Sequence, residues 1–240
     1  MKNVRFYVIR FSNIASFVFF LYVSFFSGEE KDFSYSDAEM PLFMPSPYAF
    51  AIWFIIFGLF AVWLARQFSR ENRDEELYEK IGFLFPAGIF FTALTSLTGG
   101  IYACIYLIIA LVISTQIYRV IIREERKSSF FRWPFSIYLG WLSVAVILNI
   151  FQVVKGYGIS SFLGMGELVW TIIMLVSGGG LSILFIRKNK DLLFPCVFVW
   201  AYIAIAIANS DRITVWIPAL IISLGLLILI VQHKSGDTKD

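Results

Sequence analysis

The chain has 240 residues, 59% of them hydrophobic and 18% aromatic against 15% charged, and its mean hydropathy is +0.77. Soluble domains carry about 25% charged residues, so composition excludes an ordinary soluble enzyme and points to an all-α integral membrane protein. The net charge of +3 is modest and, as shown below, its basic residues gather on one side of the membrane, which leaves no footprint for nucleic acid.

Eight apolar runs are each long enough to cross a hydrocarbon core of about 30 Å as a helix. They cover residues 4–27, 44–68, 78–97, 100–122, 134–154, 167–186, 192–209 and 213–232. The first follows basic residues as a signal sequence would. It runs too long for such a segment, however, and no small-residue cleavage site follows "FFLYVSFFSGEEKD", so it reads as a helix. The longest external segment comes next, "SGEEKDFSYSDAEMPLFMPSP" (27–47), acidic and then rich in proline and aromatics. Between the second and third runs, "RQFSRENRDEELYEK" (66–80) mixes both signs, as a solvated helix end does.

The third run contains Pro86, tolerable in lipid if neighbours satisfy the freed carbonyl, and only a short "TGG" turn separates it from the fourth. In the sixth, "SGGGLS" (177–182) predicts close contact with another helix; the alternative is an unwound break of the kind that lines transporter sites. In the seventh, Trp200, Ala204 and Ala208 share a face at four-residue steps, which predicts the close approach of another helix.

Seventeen of the 20 basic residues fall on one side if both termini and the loops near 69–77, 123–133 and 187–191 are placed together. Only Lys31, Lys155 and Arg212 are left for the other face. The positive-inside rule makes the first side cytoplasmic, and an even number of spans requires the two termini to share it. The expected location is therefore the cell membrane, multi-pass, with cytoplasmic termini. Cys104 and Cys196 lie in apolar runs and His233 in the tail, so no metal site can be assembled from the sequence.

One stretch carries more than hydropathy. In "PFSIYLGWLSVAVILN" (134–149), Tyr138, Trp141, Ala145, Asn149 and, beyond it, Gln152 follow steps of three and four. On a helix they occupy a sector of about 80°. Trp133 suits an interfacial anchor, whereas Trp141 lies two turns deeper. Amides are costly in hydrocarbon, so this face should turn inward, either to bond neighbouring helices or to line a pocket. A second aromatic face, Phe50, Trp53, Phe57 and Phe60, follows Pro45 and Pro47, which constrain how the chain turns into the helix. Two such faces offer stacking surface with a few orienting polar atoms, as a flat apolar ligand needs.

These residues resemble the TspO/MBR family of tryptophan-rich sensory and translocator proteins. Tyr138, Trp141, Ala145, Leu148 and Asn149 fall in register with its fifth-helix signature, and Pro45, Pro47, Phe50 and Trp53 are similar to its second-helix start. The pattern is closest to longer bacterial members. The resemblance covers about residues 5–154. It therefore implies a five-helix region over 1–154, followed over 155–240 by three additional transmembrane helices and a short tail. The family's third-helix tryptophan and asparagine are missing from "FPAGIFFTALTSLTGG".

The resemblance implies a tetrapyrrole or sterol as ligand, with Trp53 and Trp141 in the pocket. The leading expectation is a binding or sensory protein holding a planar apolar ligand between the second and fifth spans, lined by Pro45, Pro47, Phe50, Trp53, Phe57, Tyr138, Trp141, Ala145 and Asn149. The alternative is a small-molecule transporter, motivated by the span count, the glycine run and intramembrane Gln116, Asn149 and Gln152. No catalytic constellation beyond tryptophans is legible, which argues against an enzyme. The expected partners are the lipid bilayer and a small apolar ligand, and the sequence leaves open whether the chain forms a homodimer.

Overall fold

A computed structural model describes residues 2–27, 40–68, 72–124 and 129–236. Most of the expected external segment, 28–39, and residues 125–128 of the expected cytoplasmic loop lie outside the described residues. The protein is an all-α membrane protein. Six helices are long and apolar enough to cross a membrane, and two shorter apolar helices, Leu84–Leu97 and Leu193–Ala208, join them among the described residues. The chain forms two compact units, residues 1–34 with 54–142 and residues 35–53 with 143–240.

The first unit contains α1 (Lys2–Phe26), α2 (Ile52–Arg66) from Phe54 onward, α3 (Asn72–Ile81), α4 (Leu84–Leu97), α5 (Gly100–Arg123) and the first half of α6 (Ser129–Gly156). α4 packs against α5 and α1, and α3 against α5. The predicted third span, 78–97, is two helices. Gly82 adopts φ +51°, a left-handed conformation that costs glycine little, and the chain turns there from the charged α3 into the apolar α4. Pro86 consequently falls in the first turn of α4, where its missing N–H would have had no intrahelical acceptor. Tyr78 closes the corner by donating its hydroxyl to the Trp63 carbonyl at 2.6 Å. Lys80 at the end of α3 bonds Glu124 at 2.7 Å and Glu76 at 2.9 Å.

The second unit comprises a strap over 40–46, a 3-10 turn Pro47–Ala51, the second half of α6, a two-stranded hairpin, α7 (Glu167–Asn189), α8 (Leu193–Ala208) and α9 (Ile213–Gly236). The hairpin pairs β1 (Ser161–Phe162) antiparallel with β2 (Met165–Gly166). α7, α8 and α9 pack on one another. α7 runs unbroken through the glycine run, and the reason is proximity: a Cβ on Gly178 would lie 2.6 Å from Phe198 Cε1, and one on Gly179 would lie 2.8 Å from Ile222 Cγ2. Glycine lets α8 and α9 come close to the same helix from two sides. Tyr202 exploits this, donating its hydroxyl to the Leu175 carbonyl at 2.8 Å. Between α7 and α8 the buried Asp191 accepts the N–H groups of Leu193 and Phe194 at 2.9 and 3.2 Å, capping an otherwise unsatisfied helix start.

Candidate ligand-binding site

In the first unit, Phe131, Phe135 and Tyr138 recur at steps of four and three along α6, so they share one face. That face meets aromatic side chains of α2 and α4. Phe60 lies 5.1 Å from Tyr138, 5.5 Å from Phe135 and 5.2 Å from Phe85, measured between ring centroids. One turn further along α2, Trp63 stands 4.7 Å from Tyr78, 4.8 Å from Phe85 and 5.2 Å from Phe135. Several of these pairs are edge-to-face, each worth about 0.5–1.5 kcal/mol beyond the area they bury.

Inside this group the Tyr138 hydroxyl pairs with Thr92 Oγ1. Thr92 spends its own proton on the Gly88 carbonyl at 3.0 Å, which makes the tyrosine the donor to it. Ser114 lies beside the same hydroxyl. Phe57 turns toward α1, with ring centroids 6.5 Å from Phe17, 5.4 Å from Phe20 and 5.8 Å from Phe25, and Phe60 reaches the same Phe17 at 6.3 Å. Trp141 is 2% exposed and Trp133 41% exposed, the contrast expected of a deep residue and an interfacial one.

In the second unit, the strap lies along α8 in the opposite direction. Asn209 donates its amide to the Leu42 carbonyl at 3.0 Å, the Ser46 N–H reaches the Ala204 carbonyl at 3.0 Å, and the Trp200 indole reaches the Ala49 carbonyl at 3.0 Å. Phe43 is fully buried, stacked on Phe151 at 5.7 Å. At the Met40 end of the strap Glu167 accepts the Leu42 N–H at 2.6 Å and pairs with Lys155 at 3.0 Å, and Lys155 also donates to the Met40 carbonyl at 3.0 Å.

Pro45 is buried in this strap, while Pro47 opens the 3-10 turn. Phe50, in that turn, is partly exposed, and Trp53 lies in the first turn of α2. Ala145 and Asn149 are half-buried, and the Asn149 amide donates to the Ala145 carbonyl at 3.0 Å, so part of its hydrogen-bonding demand is met within α6. The nine candidate residues thus divide, with Phe57, Tyr138 and Trp141 in the first unit and the other six in the second. Sequence reasoning missed Thr92, the polar partner of Tyr138, and the Glu167–Lys155–Asn209 clamp. The signal for Thr92 was a hydroxyl deep in an apolar run. For the clamp it was a charge or amide at the ends of three different runs.

The site is a buried cluster of aromatic rings around one oriented hydroxyl, and no group of three His, Cys, Asp or Glu residues gathers among the described residues. The family of TSPO-like proteins matches this chain over residues 8–232. The chain belongs to that family. The TSPO-like match continues past residue 154 through α7 and α8 and most of α9, so these helices fall within the family's extent. No curated protein and no solved structure matches the chain.

Proposed function

We propose that the protein is a membrane ligand-binding or sensory protein that holds a planar apolar molecule, of the tetrapyrrole or sterol kind, between α2 and α6. The observation that carries this reading is the hydroxyl of Tyr138, anchored by Thr92 within a shell of aromatic rings, in a chain of the TSPO-like family. Rings offer stacking faces to a flat ligand, and a single fixed hydroxyl can orient it. Tyr138 and Trp141 are covered by protein, so a ligand reaching them has to part packed side chains, and association should be slow against diffusion.

The test is an absorbance and tryptophan-quenching titration with protoporphyrin, set beside a sterol and a carotenoid. Trp141→Ala should weaken binding tenfold or more, since a lost stacking partner and its buried area together exceed about 1.4 kcal/mol. Trp133→Ala should leave it nearly unchanged. Equal affinity in parent and both variants would make the Trp141 face helix-packing glue. Equal losses in both would indicate general destabilisation. The transporter alternative loses one of its motives, because α7 is continuous through the glycine run.

A further inference from the structure

The hairpin between α6 and α7 is built in an unusual way for a loop in water. Its turn residues, Leu163 and Gly164, both have positive φ, +52° and +74°. Two-residue hairpins favour that geometry, but asparagine, aspartate or glycine ordinarily fills the first position. A leucine in the left-handed region is a strained choice, and strain of this kind marks places where the side chain itself is wanted. Here the side chain points away from the protein: Leu163 is 73% exposed.

It is not alone. Tyr157, Ile159 and Phe162 are also exposed, and residues 156–166 contain no charged side chain. The hairpin is tied to the first turn of α7, where the Trp170 indole donates to the Phe162 carbonyl at 3.0 Å and the two rings lie 5.6 Å apart. α6 and α7 are both long and apolar enough to cross the membrane. A tryptophan in the first turn of such a helix belongs at the level of the lipid headgroups. Its bond to Phe162 therefore fixes the hairpin at that level.

We propose that this hairpin is a membrane-dipping wedge, with Leu163, Phe162 and Ile159 inserted at the headgroup–acyl boundary of the leaflet into which α6 and α7 emerge. The occupant of this apolar surface is lipid, because the surface continues the apolar spans on either side and carries no charged side chain between Lys155 and Glu167 at its base. Apolar groups at that depth bind in proportion to their buried area, which offsets the strain at Leu163.

The test uses the full-length protein in nanodiscs containing only phosphatidylcholine. Leu163→Cys in a Cys196→Ser background takes an environment-sensitive fluorophore, with Ser210→Cys, exposed in the polar turn between α8 and α9 and outside the membrane-spanning helices, as the aqueous reference. The label at 163 should emit to the blue of the reference and be quenched by lipid nitroxides about 5–10 Å below the headgroups. The same label at Ile159, outside the turn, should behave alike, which covers the case in which labelling the turn disturbs it. Emission at both positions matching the reference, without quenching, would place the hairpin in water and overturn the proposal. A hairpin covered by a protein partner would give that same result in these lipid-only discs.

Discussion

Tyr138 concentrates what single residues contribute in the first unit. Tyr138→Phe keeps the ring among Phe60 and Phe135 and removes the hydroxyl that donates to Thr92 and lies beside Ser114; Thr92 still has the Gly88 carbonyl for its own proton. The expected loss is about 1 kcal/mol, measurable as a small fall in melting temperature. Tyr138→Ala would also open a cavity and cost about 3–5 kcal/mol. Lys80 works differently, at the surface. Its hydrogen bond to Glu124, and secondarily the one to Glu76, raises its pKa above the ordinary 10.5. A raised lysine pKa stabilises the folded state fully below the unfolded value and loses that effect as pH climbs through the folded one. The effect of Lys80→Met on thermal stability should therefore hold constant through neutral pH and vanish only in strong alkali.

At the scale of elements, the glycine run provides the sharpest contrast. Gly178→Ala would drive a methyl into Phe198 and Tyr202, whereas a Cβ on Gly180 meets nothing within 4 Å. Gly178→Ala should cost about 1–3 kcal/mol, and Gly180→Ala should be neutral or stabilise α7 by up to about 1 kcal/mol; thermal melts of the two variants in one detergent decide the matter. The small-residue face of α8 was legible in the sequence, but what meets the Ala204 backbone is the strap, through Ser46. Ala204→Leu is still expected to destabilise, and its signature should be faster proteolysis within 40–46. Hydropathy placed the apolar helices because each satisfies its backbone internally. It could not place the strap, whose bonds join residues more than 100 positions apart, such as Leu42 and Asn209. Nor could it find the break at Gly82, which rests on one dihedral. The aromatic faces were legible as stripes. Which neighbours they meet, Phe57 with α1 and Phe60 with α1, α4 and α6, depends on helix rotation, which periodicity alone does not set.

For the molecule as a whole, the number of bilayer crossings turns on α8. Cysteines at Lys188 and Ser210, both exposed and flanking it, should react on opposite sides with an impermeant maleimide, Ser210→Cys from outside the cell. Reaction on the same side would mean that α8 does not cross. The geometry behind this question has a wider consequence. α4, with 14 residues, and α8, with 16, reach about 21 and 24 Å, against about 42 Å for the 28 residues of α6. Helices so unequal cannot all match one hydrocarbon thickness, and the short ones, one in each unit, would thin the surrounding lipid wherever they cross it. Each ångström of hydrophobic mismatch costs a fraction of a kcal/mol, so the protein should melt higher in short-chain than in long-chain phosphatidylcholine, and among a cell's membranes it should partition toward the thinnest.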